Sequence, residues 1–178
     1  MVRYQWSLPV LVVCSALASA CAAPAQQAVA QAPTQGASGE EPAEGSGGSA
    51  LDDSGPAPTG VDLAVTQIFW SPAHPKAGQP LSFSATVKNR GTAATDDGVI
   101  IGVAFQINGT TVTWSDTNKS SLGPGQSRKL TANFGPGDSA TWTAVAGEHT
   151  LGAWVDDVNR LPDTNRNNNT NETPLVVR

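Results

Sequence analysis

The chain has 178 residues, a formal net charge of −5 and two cysteines, Cys14 and Cys21. Its charge is unevenly spread: residues 21–60 carry five acids and no Lys or Arg, whereas residues 61–178 carry ten acids and nine bases. With no basic stripe and no basic amphipathic helix, this composition speaks against a nucleic-acid partner and against a helix lying on a membrane surface.

In chain order, residues 1–20 read as a secretory signal peptide. They have a short basic start (Arg3), an apolar run from Leu8 to Leu17, and the small residues Ala18-Ser19-Ala20. The run is too short to span a bilayer, and no stop-transfer flank follows it. Cys21 stands directly after Leu17-Ala18-Ser19-Ala20, which resembles the lipobox of bacterial lipoproteins, where the cysteine carries the lipid. The large aliphatic residue usual three places before the cysteine is Ala18 here, with Leu17 one earlier. The favoured expectation is lipidation of Cys21; the alternative is plain cleavage after Ala20 and a soluble secreted protein. Cys14 is removed with the signal peptide, so the mature domain has no disulfide despite an oxidising compartment.

Residues 21–60 begin at Cys21 and continue mainly with Ala, Gly, Pro, Ser, Gln and Glu. So few large apolar side chains cannot repay the entropy of ordering, and the segment is expected to be a disordered tether. A flexible coil of that length spans about 35 Å root-mean-square.

The composition changes at Val61. Short β-branched and aromatic runs alternate with Gly, Pro, Asn and Asp, and no window sustains a 3.6-residue period. Strands are expected at about 61–70, 80–89, 98–107, 110–115, 126–134, 139–144, 148–156 and 174–177. Asn108-Gly109 between two apolar runs is a type I′ hairpin signal. Seven or eight short strands at this spacing predict an all-β, immunoglobulin-like antiparallel β-sandwich over residues 61–178. The last strand pair should hold a loop crowded with Asp and Asn from Asp156 to Asn169.

Motifs along this region appear in a recognisable order. They are Asp62-Leu63, Trp70-Ser71-Pro72, Ala77-Gly78-Gln79-Pro80, Val87-Lys88-Asn89-Arg90-Gly91-Thr92-Ala93 and Leu122-Gly123-Pro124-Gly125-Gln126-Ser127. Val155-Asp156, Asn159, Asp163, Asn165, Asn168 and Asn169 close the series. Residues 61–178 thus resemble the CARDB domain, the cell adhesion related domain found in bacteria. The resemblance implies an extracellular immunoglobulin-like sandwich, an accessory unit in surface proteins, and no catalysis. Family members often carry Glu where Asp163 stands and a second Glu where this chain has Arg166.

No nucleophile signature accompanies His74 or His149, and neither G-x-S-x-G nor H-E-x-x-H occurs. Adjacent acids such as Asp96-Asp97 point to opposite faces if extended, so an enzyme is not expected. Hard oxygen donors at Asp156, Asp157, Asn159, Asp163 and Asn165 suit Ca²⁺ chemistry. However, Leu161 and Pro162 break the EF-hand pattern. In such sandwiches Asp96 and Asp97 could join this end of the molecule, with Arg160 and Arg166 offsetting the charge. The weightier reading is architectural: Asp and Asn side chains order long turns by bonding nearby backbone, with Asp156, Asn159 and Asn169 pinning the loop to strand ends. Trp154 faces away from Leu151, Ala153 and Val155 and is the first candidate for an exposed ligand-binding aromatic; Trp114 is the second.

The sequence therefore predicts a non-catalytic binding or adhesion module at the cell envelope, on a lipid-anchored tether. Its expected partner is an extracellular protein or glycan. The membrane is reached only through the lipid, and no cofactor is implied beyond a structural Ca²⁺. The alternative is a Ca²⁺-stabilised carbohydrate-binding module.

Overall fold

The computed structural model describes residues 44–48 and 55–178. The expected signal peptide, Cys21 and most of the expected tether lie outside the described residues. In chain order the strands are β1 (Gly45–Gly47), β2 (Leu63–Ser71), β3 (Pro80–Asn89), β4 (Val103–Ile107), β5 (Thr110–Ser115) and β6 (Ser127–Thr131). β7 (Thr141–Thr143), β8 (Gly147–Val155) and β9 (Thr170–Val177) complete the set. One sheet runs β1-β2-β3-β6, with β7 also pairing β3; the other runs β5-β4-β8-β9. Every named pairing is antiparallel. The fold is the expected immunoglobulin-like sandwich.

Alternation builds each layer. On β3, Leu81, Phe83, Ala85 and Val87 turn inward and are buried. They meet Val103, Phe105 and Ile107 of β4 and Leu151, Ala153 and Val155 of β8. The Phe83 and Phe105 rings stack with centroids 6.0 Å apart. Each of the larger side chains among them contributes about 1.5–3 kcal/mol by leaving water, which lets a domain without a disulfide stand on its core. Trp70 and Trp142 pack against this core from its edges. Asn108 (φ 50°) and Gly109 (φ 78°) join β4 to β5 with both central residues left-handed, as a type I′ turn requires.

Three differences from the sequence expectation have physical causes. Residues 98–102 form a loop: Gly98 has φ 83°, and the Gly98 and Ile101 amides donate to Lys119 and Asn118 carbonyls. β9 starts at Thr170 rather than Pro174, because Asn171 and Thr173 face inward in line with Leu175 and Val177. The Asn171 amide donates to the Val65 carbonyl at 3.1 Å, a bond between sheets. Finally, residues 44–48 and 55–60, expected within the tether, are ordered against the domain. The Thr92 amide donates to Pro58 and the Ala93 amide to Gly60.

Register fixes what shares an end. Leu63 pairs with Asn89 and Val103 with Val155. The β3–β4 loop, the β8–β9 loop and the entry to β2 therefore meet at one end of the sandwich.

Candidate functional site

Asp156 turns the chain as β8 ends, at φ 51°, and its amide donates to Gly102. Its carboxylate is fully buried. One oxygen accepts the Arg160 amide at 2.7 Å; the other accepts the Leu161 amide and Arg166 Nη1, both at 3.1 Å. Arg166 also donates to the Leu161 carbonyl at 2.7 Å. Asp163 ties the loop to β2, accepting the Leu63 amide at 3.1 Å and the Asn165 amide at 2.9 Å. Burial raises the Asp163 pKa, and those amides pull it partly back.

The amide side chains finish the knot. Asn168 donates to Asp62 at 2.9 Å and Asn169 to the Val155 carbonyl at 3.3 Å. Asn159 adopts φ 55° and its backbone amide closes a turn onto the Asp156 carbonyl. At the same end Asn89, fully buried, accepts the Asp62 and Gly91 amides and donates to the Ala93 and Leu122 carbonyls. Asp97 accepts the Ser121 amide at 3.3 Å. Among the described residues, no three His, Cys, Asp or Glu side chains form a group that could hold a metal ion. The oxygens of Asp156 and Asp163 are directed at N–H donors, so as arranged they do not fit a cation site. The arrangement holds a long loop to two strands.

Asp157 goes elsewhere. It lines a cavity of about 190 Å³ with Trp114, Asp116, Val158 and Arg160, on the flank of the second sheet. Burial raises its pKa, and the nearby Arg160 charge counters part of that shift.

This flank borders an aromatic row. Ala104 on β4 pairs with Trp114 on one side and Trp154 on the other. Trp114 pairs in turn with Phe134, its amide donating to the Phe134 carbonyl at 2.8 Å. Directly paired residues project to the same face, so Trp154, Ala104, Trp114 and Phe134 form one row across the sheet. Strands lie about 4.8 Å apart, which puts the two tryptophan backbones about 10 Å apart. Trp154 is 38% exposed and Phe134 44%, while Ala104 between the indoles is only 1% exposed. Val158, also exposed, sits at the row's edge beside Trp114.

The structure thus brings the two sequence-predicted aromatics together, keeps four of the five oxygen-bearing residues in one loop as hydrogen-bond partners, and turns Asp157 away from them. Asp156 and Asp163 serve the loop knot, Asn159 and Asn165 its turns, and Asp157 the cavity beside Trp114. Sequence pattern alone does not mark Phe134, because its place depends on a long-range bridge to Trp114. The one local hint is the Gly135-Pro136-Gly137 that follows and ends any strand there.

A family model described as CARDB matches residues 60–173. Among solved structures, the CARDB domain of a Pyrococcus furiosus protein, crystallised in complex with di-metal ions, is 26% identical with a TM-score of 0.52. It covers 72% of this chain and 97% of that one. A solution structure of the same Pyrococcus furiosus domain is 27% identical with a TM-score of 0.46, over 67% and 96% of the two chains. A domain described as part of a cell surface protein from Methanosarcina acetivorans shares the fold. It is 21% identical with a TM-score of 0.51, over 66% and 92% of the two chains. A search of curated proteins finds no match.

Proposed function

The chain belongs to the CARDB family of adhesion-related, non-catalytic cell-surface domains, and from that premise we propose that it binds an extracellular ligand on the outer face of its four-stranded sheet. The observation that carries this reading is the row Trp154, Ala104, Trp114 and Phe134. A row of indole and phenyl groups buries large area at low entropic cost and stacks on flat apolar faces. The cavity beside it supplies the polar complement, with Asp116, Asp157 and Arg160 as acceptors and donor around Trp114. That combination suits a glycan, whose rings offer apolar faces and paired hydroxyls. A protein ligand would use the same aromatics as anchors.

Binding of a panel of cell-wall and extracellular polysaccharides, measured by calorimetry, tests the face. Trp154→Ala and Trp114→Ala should each weaken binding at least tenfold, that is about 1.4 kcal/mol or more, while circular dichroism stays unchanged. Equal binding by both variants would sink this assignment.

Display at the envelope follows from the lipobox-like sequence at Cys21. Detergent phase partitioning should place the wild-type chain with the membrane and Cys21→Ala in the aqueous phase. Partitioning of both into water would leave a secreted module.

A second reading, a Ca²⁺-stabilised carbohydrate-binding module, draws support from the Pyrococcus furiosus domain solved with di-metal ions. Against it stands the hydrogen bonding of Asp156 and Asp163, whose oxygens a cation would have to take from Arg166 and four backbone amides.

A further inference from the structure

The segment Glu44–Gly48 reads by composition as linker, yet its geometry is specific. Gly45, Ser46 and Gly47 pair antiparallel with Trp70, Phe69 and Ile68 along the outer edge of β2. A Cβ on Gly45 would fall inside the Trp70 indole, and one on Gly47 would fall on the Thr173 hydroxyl. Gly48 has φ +127°, and a Cβ there would lie 3.0 Å from the Asn171 side-chain nitrogen. In a free linker these glycines would be interchangeable with serine or alanine. Here each one makes room for a named neighbour on β2 or β9. The flanking acid is also matched: Glu44 pairs with Lys129 of β6. Lys129 in turn lies 4.3 Å above the centre of the Phe69 ring.

We propose that the edge of β2 is a strand-acceptor site selective for an acid-Gly-small-Gly-Gly segment, and that the chain's own Glu44–Gly48 is the strand built to fill it. The need for an occupant is physical. Ile68-Phe69-Trp70 on an open edge presents unpaired backbone groups beside large apolar side chains, a template for pairing with the same edge of a second copy. Adding a strand with two or three glycines closes the edge without extending the apolar surface. The pairing also moves the point where the tether leaves the domain. Residues between Glu44 and the sandwich no longer add to its reach, and the domain is held by its β2 side.

Hydrogen exchange on the full-length protein tests the site. In the wild type the edge-facing amides of Ile68–Trp70 should be protected. In Gly45→Val/Gly47→Val they should exchange at least tenfold faster, with β8 and β9 amides unchanged as the control for folding. Lys129→Gln should give a smaller increase, and high salt should raise exchange in the wild type but not in that variant. Sedimentation should show the double-valine variant forming concentration-dependent dimers that the wild type does not form. Equal exchange at 68–70 in the wild type and the double-valine variant would overturn the acceptor site. A double-valine variant with a freed edge that stays monomeric would overturn its role as a cap against self-pairing.

Discussion

Asp156 shows how much one carboxylate can organise. It is fully buried, yet two backbone amides and one guanidinium meet it. Arg166 thus supplies, from within the chain, the positive charge that a crowded acidic loop needs. Removing this buried carboxylate leaves the Arg160 and Leu161 amides unsatisfied, at about 1–3 kcal/mol apiece, while the Arg166 side chain, 36% exposed, can turn to solvent. Asp156→Ala should therefore lower the unfolding midpoint by on the order of 10 °C in a domain of this size. A drop of only a degree or two in calorimetry would show that water replaces the carboxylate. Asp157 makes the opposite case, since burial holds its pKa above the ordinary carboxylate value. A carboxyl raised on folding binds its proton more tightly in the folded state. Its contribution to stability is complete below the unfolded pKa and is lost as pH rises through the folded one. Asp157→Asn has no proton to lose. The midpoint of this variant minus that of the wild type should become more positive between about pH 3 and pH 7, and a difference flat across that range would refute the burial argument.

At the scale of elements, legibility followed the range of the interactions. β3 could be read to its ends because Leu81, Phe83, Ala85 and Val87 alternate with polar neighbours and Pro80 opens the strand. The Asn108-Gly109 turn was legible for the same local reason, as two residues that tolerate positive φ. β9 was half hidden. Asn171 and Thr173 sit at core-facing positions, but their polarity reads as loop, and it takes the bond from Asn171 to Val65 on the opposite sheet to account for the burial of that amide. The polar loop was seen as a unit while the fate of each oxygen was not. Whether Asp163 faces an ion or the Leu63 amide is decided by a strand 100 residues away in sequence. Trp154 could be assigned to the outer face by alternation alone, whereas its alignment with Trp114 needed the β5-β4-β8 order. β1 was illegible because Gly-Ser-Gly carries no hydrophobic signal. Its information lies in the absence of side chains, which has meaning only once Trp70 and Thr173 are in place.

The whole molecule divides its labour between an end and a face. The end, where the two loops and the chain entry meet, uses its Asp, Asn and Arg side chains to tie strand termini together. The face of the four-stranded sheet carries the exposed aromatics. This division gives the calcium question a definite outcome. A metal at about 100 times its dissociation constant stabilises the folded state by roughly 2.7 kcal/mol, a shift of several degrees in the midpoint of a domain this size. Binding at the loop would first have to displace Arg166 from Asp156, and the Leu63 and Asn165 amides from Asp163. The two amides would then be left without an acceptor, at about 1–3 kcal/mol apiece, while Arg166 would keep only its bond to the Leu161 carbonyl. Those losses come out of the ion's binding free energy and weaken its affinity, so the loop stays unoccupied and excess Ca²⁺ and chelator should give midpoints within a degree of each other. The same titration on Arg166→Gln separates the two causes. If the guanidinium is what keeps a cation out, calcium dependence should emerge in that variant and be absent from the wild type. A shift of several degrees in the wild type itself would mean that the loop opens to take a metal, and would transfer the functional assignment from the aromatic face to the polar end.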